Sequence, residues 1–237
     1  MSAFDQKRTL LFVAWKRPRL VGRCRKRCLS QSTRGSACGR DRIPPPYDAT
    51  SRTTPRVAPG PVITNHYRFK DANGSSELHL VDLFGDQDAL VTYFWMYGPQ
   101  RERPCPMCTN WLGAVNGNAA DIKQQVALKI LGRSTVERQL AFATERGWRH
   151  LDFVQTVGDD YANDLGLINP DGSENPALVV FKRDGDKVRL FWASEMTKEL
   201  ADPGQDPRDA PDIASLWSIL DLTPSGRGTE WYPKLAY

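Results

Sequence analysis

The apolar positions of this chain fall into two regimes. Before residue 60 they are sparse: the run Leu10 to Trp15 meets Lys16, Arg17, Pro18 and Arg19 at once. Beyond residue 60 they recur in blocks with the periods of strands and helices. His66 to Phe69 reads as a short strand, Asp71–Ala72–Asn73–Gly74 as a turn, and Glu77 to Phe84 as a returning strand. Ala89 to Met96, ALVTYFWM, is apolar throughout and rich in β-branched and aromatic residues. It predicts a strand buried on both faces, as in a parallel sheet covered by helices on either side. A loop of Gly, Pro, Arg and Glu follows, and a helix opens at Pro104–Cys105–Pro106–Met107–Cys108. Val126 to Leu131 predicts a second apolar strand. Ser134 with Glu137 reads as a capping box before a helix closed by Gly147. Leu151 to Val154 predicts a third strand and Asp159 to Leu165 a short helix. Ala177 to Phe181 and Lys187 to Trp192, joined at Asp184–Gly185, predict a hairpin, and Ile213 to Leu220 a last amphipathic helix. This order predicts a layered α/β domain over residues 61–237.

Composition changes the picture only at the N-terminal end. The 237 residues are 40% hydrophobic and 25% charged, which suits one soluble domain with a tail. No apolar run approaches the ~20 residues of a membrane helix, so no membrane association is expected. The net charge of +4 hides an asymmetry: residues 1–60 carry 14 Lys and Arg against 3 Asp and Glu, and residues 61–237 carry 18 against 25. Residues 1–60 are therefore expected to be a disordered basic arm rich in Arg, Ser and Pro. They offer no convincing secretory leader, and the expected location is the cytoplasm. Nucleic-acid binding would have to rest on that arm alone, and is not expected of the acidic domain. Cys24, Cys28 and Cys38, without a nearby histidine, make an incomplete zinc set.

The chemistry concentrates at Cys105–Pro106–Met107–Cys108, where a buried strand hands over to a helix. Two intervening residues bring both sulfurs onto the first helical turn, within reach of a disulfide. Cys105, at the helix N-terminus, gains from the unpaired N–H groups and the helix dipole, which favour its thiolate. Cys108 then resolves the mixed disulfide. Arg101 and Arg103, just upstream, are candidates to tune the thiolate. Pro106 and Met107 adjoin both sulfurs and are expected to set the potential and meet substrate. Asn175–Pro176 precedes the strand at Ala177, and its backbone is the candidate cradle for a substrate beside the sulfur. A metal site is the competing reading of the cysteine pair, but one such pair supplies two of the four ligands a closed zinc site needs, so no metal is expected. Trp111, one turn beyond Cys108, is expected to pack, and Trp95 and Tyr97 either pack or line a substrate groove.

Ala89 to Phe94 followed by CPMC, then ENPALVVFKRDGD, resembles the thioredoxin superfamily. The extra strand and helix before Pro176 are similar to an insertion of its peroxiredoxin-like branch. More narrowly, YFWMYGPQRERPCPMCTNWLGAVNGNAADI, GRSTVERQLAFATERGWRHL and LDLTPSGRGTEWYPKLAY are similar to a bacterial family known as domain of unknown function 899. Its members are labelled predicted dithiol-disulfide oxidoreductases or isomerases. The resemblance spans roughly residues 62–237. It implies a thioredoxin-like fold, a central mixed sheet flanked by helices, with Cys105 and Cys108 as the redox pair. Residues 1–60 depart from the family pattern, and the expectation there is plain disorder or a misassigned start. No cofactor motif is present, so an external reductant is expected to reset the pair, and the substrate is expected to be a disulfide in a protein or a small molecule. A thiol peroxidase of peroxiredoxin-like type is the enzymatic alternative, although the Thr or Ser three residues before a peroxidatic cysteine is Glu102 relative to Cys105. A binding module acting through a nucleic-acid- or metal-binding basic arm is the non-enzymatic one.

Overall fold

The computed structural model describes residues 60–73, 77–196, 213–223 and 228–236. The basic arm and its Cys24, Cys28 and Cys38 lie outside the described residues. The strands are β1 (Val62–Ile63), β2 (Arg68–Lys70), β3 (Leu78–His79), β4 (Ala89–Phe94), β5 (Ala127–Gly132), β6 (Phe153–Val157), β7 (Ala177–Asp184) and β8 (Lys187–Glu195). They form one sheet in the order β1-β8-β7-β4-β5-β6-β2-β3. The helices are α1 (Pro106–Ile122), α2 (Val136–Glu145), α3 (Asp160–Asp164) and α4 (Ser215–Asp221).

Strand β4 sits in the middle because both of its faces are apolar. Leu90 and Phe94 enter one buried cluster with Phe69, Phe84, Tyr161 and Phe181. Tyr93 faces the other way, into a cluster with Cys108, Leu112, Phe142 and Trp217. β4, β5 and β6 run parallel, and each parallel step needs a helical crossover: α1 supplies the first and α2 the second. β7 lies antiparallel on the other side of β4, in a register that pairs Phe94 with Ala177. The unit β4–α1–β5 and the hairpin β7–β8 followed by α4 are the two halves of a thioredoxin-like fold, and the stretch between them, α2, β6 and α3, holds one strand and one helix more than the single connecting helix of that fold. No helix among the described residues is long and apolar enough to cross a membrane.

Two expectations from the sequence need correction, and one strand is added. Glu77 to Phe84 is not one strand: after β3 the chain turns into a 3-10 helix over Asp82–Phe84. The Asp82 carboxylate accepts the His79 N–H at 2.7 Å, and Leu80, Leu83 and Phe84 are all buried, a helical rather than alternating spacing. The cap of α2 is Thr135, whose side chain accepts the Arg138 N–H, and not Ser134. Ser134 is buried and instead donates its hydroxyl hydrogen to the Tyr97 carbonyl. The segment Val62–Ile63, which carried no strand signal, pairs with β8 at the sheet edge.

Candidate active site

β4 ends at Phe94 and the chain runs over residues 95–104 to the start of α1. That loop is held from two sides. From α2, the Arg138 guanidinium stacks 4.3 Å from the Tyr97 ring centre and donates to the carbonyls of Gly98, Arg101 and Glu102. From the loop before β7, the Glu174 carboxylate accepts the Gly98 N–H at 2.9 Å. The loop closes on Met96, whose carbonyl accepts the Cys105 N–H at 3.1 Å.

Cys105 is the N-cap of α1, with extended backbone at φ −60° and ψ 127°. Pro106 fits the first helical position, where no N–H is needed. The Cys105 carbonyl accepts both the N–H and the hydroxyl of Thr109, at 3.0 and 2.9 Å. This geometry aims the first turn at the Cys105 sulfur. The Cys108 thiol donates to it, which lowers its pKa most; burial opposes; the N–H groups of Cys108 and Met107 and the charge of Arg101 lower it further. The Cys105 thiol falls from the ordinary 9.0 to about 6. Cys108 is buried on the inner face of α1, and burial first, then its hydrogen bond to Cys105 and the charge there, push its thiol well up. The Tyr93 hydroxyl and the Met96 N–H act on Cys108 in the opposite sense. Tyr93 itself is buried and stacked on Trp111 at 4.2 Å.

The pair is therefore asymmetric: one half-buried thiol ready to ionise, and one buried thiol that holds its proton. A Cys105 thiolate loses its negative charge when its sulfur forms a bond. Two of the causes that keep Cys108 protonated depend on that charge, and the Tyr93 hydroxyl and Met96 N–H act on Cys108 in the opposite sense. Above about pH 6 the reactive form of Cys105 is present, and it is lost as pH falls through that value. Alkylation of Cys105 followed by mass spectrometry is expected to be level from pH 7 upward and to fall about tenfold for each pH unit below 6. A rate still rising at pH 8 to 9 would mean an ordinary thiol.

The other candidate residues divide. Arg101 acts on the Cys105 sulfur. Arg103 goes elsewhere: it forms a two-point pair with Glu145 on α2 and lies 4.9 Å from the Phe142 ring centre. Pro106 and Met107 are half-buried beside the two sulfurs. The register of β4 with β7 places Pro176 one residue past the end of their pairing, at the strand end from which the chain leaves towards Cys105. The backbone there is largely committed: the Asn175 N–H goes to the Leu167 carbonyl at 2.9 Å and the Pro176 carbonyl takes the Met196 N–H at 2.8 Å. The Asn175 side chain pairs amide to amide with Asn169. Trp95 and Tyr97 pack: both are buried in a ring cluster with Phe142. Sequence reasoning missed Tyr93 and Glu174. The first had only its place on the α1-facing side of β4 as a signal, and the second had none.

The structure is similar to several peroxiredoxins. A peroxidoxin of Mycobacterium tuberculosis, BcpB, aligns with TM-score 0.44 and 17% identity over 58% of this chain and 84% of its own. The mitochondrial 2-Cys peroxiredoxin of Plasmodium falciparum gives 0.42 and 14% over 69% and 92%. A variant of Xanthomonas campestris peroxiredoxin Q gives 0.40 and 15% over 54% and 79%. No curated protein matches the chain. Residues 49–237 match the family described as "Bacterial protein of unknown function (DUF899)", and the chain belongs to that family.

Proposed function

We propose that this chain is a dithiol-disulfide oxidoreductase in which Cys105 attacks and Cys108 resolves. The observation that carries the reading is the asymmetry of the pair at the head of α1. Cys105 is lowered to about 6 by its neighbours and Cys108 is buried and held protonated. The Cys105 thiolate attacks one sulfur of a substrate disulfide. The substrate S–S bond breaks, a mixed disulfide forms, and the released thiolate takes a proton from solvent. Cys108 then gives up its proton and attacks the Cys105 sulfur. The second substrate thiol leaves, the substrate has gained two electrons, and the chain holds a Cys105–Cys108 disulfide. An external dithiol or thiol resets it.

The test is a titration of the full chain in glutathione buffers of graded poise, read by alkylation and mass spectrometry. The expected result is a reversible two-electron midpoint with Cys105 and Cys108 disappearing together from the alkylated pool. No Cys105–Cys108 disulfide at any poise would refute the reading. A half-buried thiolate such as Cys105 is also a nucleophile for peroxides, so peroxide is the second substrate class to measure. A thiol peroxidase would show rapid sulfenic acid formation on Cys105 in Cys108→Ser, at a rate far above that of free cysteine.

A further inference from the structure

The sequence holds four methionines, and three of them gather at the head of α1. Met96 ends the run out of β4, and its carbonyl accepts the Cys105 N–H at 3.1 Å. Met107 stands between the two cysteines in the first turn of α1. Met196 directly follows β8, and its N–H donates to the Pro176 carbonyl at 2.8 Å. The pairing of Phe94 with Ala177 puts Pro176 at the strand end from which the chain leaves for Cys105. All three methionine side chains are half-buried, and with Cys105 they pack against the cluster that holds Cys108 and Trp111. Pro106 and Pro176 are half-buried as well. Thioethers from three segments distant in sequence thus flank the attacking cysteine, each with part of its surface open.

Two further observations say what this surface suits. Strand addition beside Pro176 would need free main-chain groups. The Asn175 N–H already goes to the Leu167 carbonyl and the Pro176 carbonyl to Met196, so contact with a substrate falls to side chains. A small acidic disulfide would need cations turned outward to pair with its carboxylates. Arg103 is taken by Glu145, Arg133 by Asp159, and Arg138 by the loop carbonyls and the Tyr97 ring. On the loop itself Arg101 is the remaining cation, and the acidic peptides below measure its pull.

We propose that Cys105 takes its disulfides from apolar stretches of polypeptide, held by the side chains of Met96, Met107 and Met196. This rests on the dithiol reading and names its substrate class. Apolar side chains flanking the substrate cysteine bury themselves against the thioethers, which favours the encounter complex. The loop is fixed by Arg138, so adaptation to different neighbours comes from the unbranched, flexible methionine side chains. Apolar stretches with an accessible disulfide belong to chains that have not finished folding.

The experiment mixes the reduced full chain, in single turnover, with short peptides joined by one disulfide. Leu and Phe flank the cysteine in one set, Asp and Ser in the other. Each rate is divided by that of the same peptide with dithiothreitol, which removes differences in intrinsic reactivity. The rate in Cys105→Ser, owed to Cys24, Cys28 and Cys38, is subtracted. The apolar set is expected to react about tenfold faster than the acidic set. Met107→Gln and Met196→Gln keep the length of the side chain and lose its apolar end, and each is expected to bring the ratio down to about threefold. Met196→Leu is expected to keep the parental ratio. Each ratio is taken within one variant, so a lower stability or a shifted Cys105 pKa cancels. A parental ratio near one or below it overturns the proposal. So does a tenfold ratio that survives both glutamine variants, or a Met196→Leu that loses as much as Met196→Gln. Failure of the dithiol reading looks different: neither set is then reduced above the Cys105→Ser rate, and no Cys105–Cys108 disulfide forms.

Discussion

Cys105→Ser is expected to lose disulfide reduction by about three orders of magnitude or more, while Cys108→Ser retains the first chemical step and stalls after it. The difference follows from what each sulfur does. A serine hydroxyl at position 105 stays protonated near neutrality, whatever the first turn of α1 offers it, so no nucleophile forms. With serine at position 108, Cys105 still has Arg101 and the backbone N–H groups of Met107 and of position 108. It loses the thiol that contributes most to its lowered pKa, so its midpoint rises, yet it still attacks. The mixed disulfide then has no internal resolving group and accumulates. Non-reducing mass spectrometry after mixing with a disulfide peptide checks both. The expected products, located by peptide mapping, are an adduct on Cys105 for Cys108→Ser and none on Cys108 for Cys105→Ser, with Cys24, Cys28 and Cys38 counted apart. An adduct on Cys108 in Cys105→Ser, or a parental turnover rate in either variant, would remove the pair from the mechanism.

The second large effect is on the fold. Trp95 is fully buried and its ring lies 4.9 to 5.9 Å from those of Tyr97, Phe142, Trp148 and Phe153. Trp95→Ala removes the centre of that cluster, and the expected loss is about 3–5 kcal/mol in urea unfolding. The indole N–H of Trp95 has no hydrogen-bond partner among the described residues. Leaving a buried donor unpaired costs about 1–3 kcal/mol, so Trp95→Phe gives back part of what it loses in volume. Its expected cost is well under half that of the alanine variant. Equal costs for the two would mean that the indole N–H is satisfied.

Much of this could be read from residues alone, and the reason differs from place to place. β4 was legible because ALVTYFWM is apolar on both faces, and only a central strand tolerates that. The cysteine pair was legible because its spacing and its place between strand and helix are local. The stretch Glu77 to Phe84 was misread because its apolar residues also fit a strand, and only the Asp82 contact to the His79 N–H selects the turn. Arg103 stood as close in sequence to Cys105 as Arg101 does, but Glu145 on α2 takes it away. Glu174 was invisible for the opposite reason: its partner Gly98 is 76 residues away, and neither position carries a local pattern. Tyr93 reads simply as an aromatic strand residue until α1 is packed over it and Cys108 comes down beside its hydroxyl.

The hold of Arg138 on the loop before Cys105 has a consequence for timing. One guanidinium grips three carbonyls and a ring, and the hydroxyl of Ser134 grips a fourth carbonyl. A lysine there could offer neither the planar fork nor the stacked face. A segment tied at so many points has no hinge to swing on, unlike the closing lids of many enzymes. The doorway to Cys105 is therefore settled when the chain folds and not when a substrate arrives. On the proposed mechanism, encounter and sulfur exchange, rather than any closing motion, are expected to set the pace of each turnover.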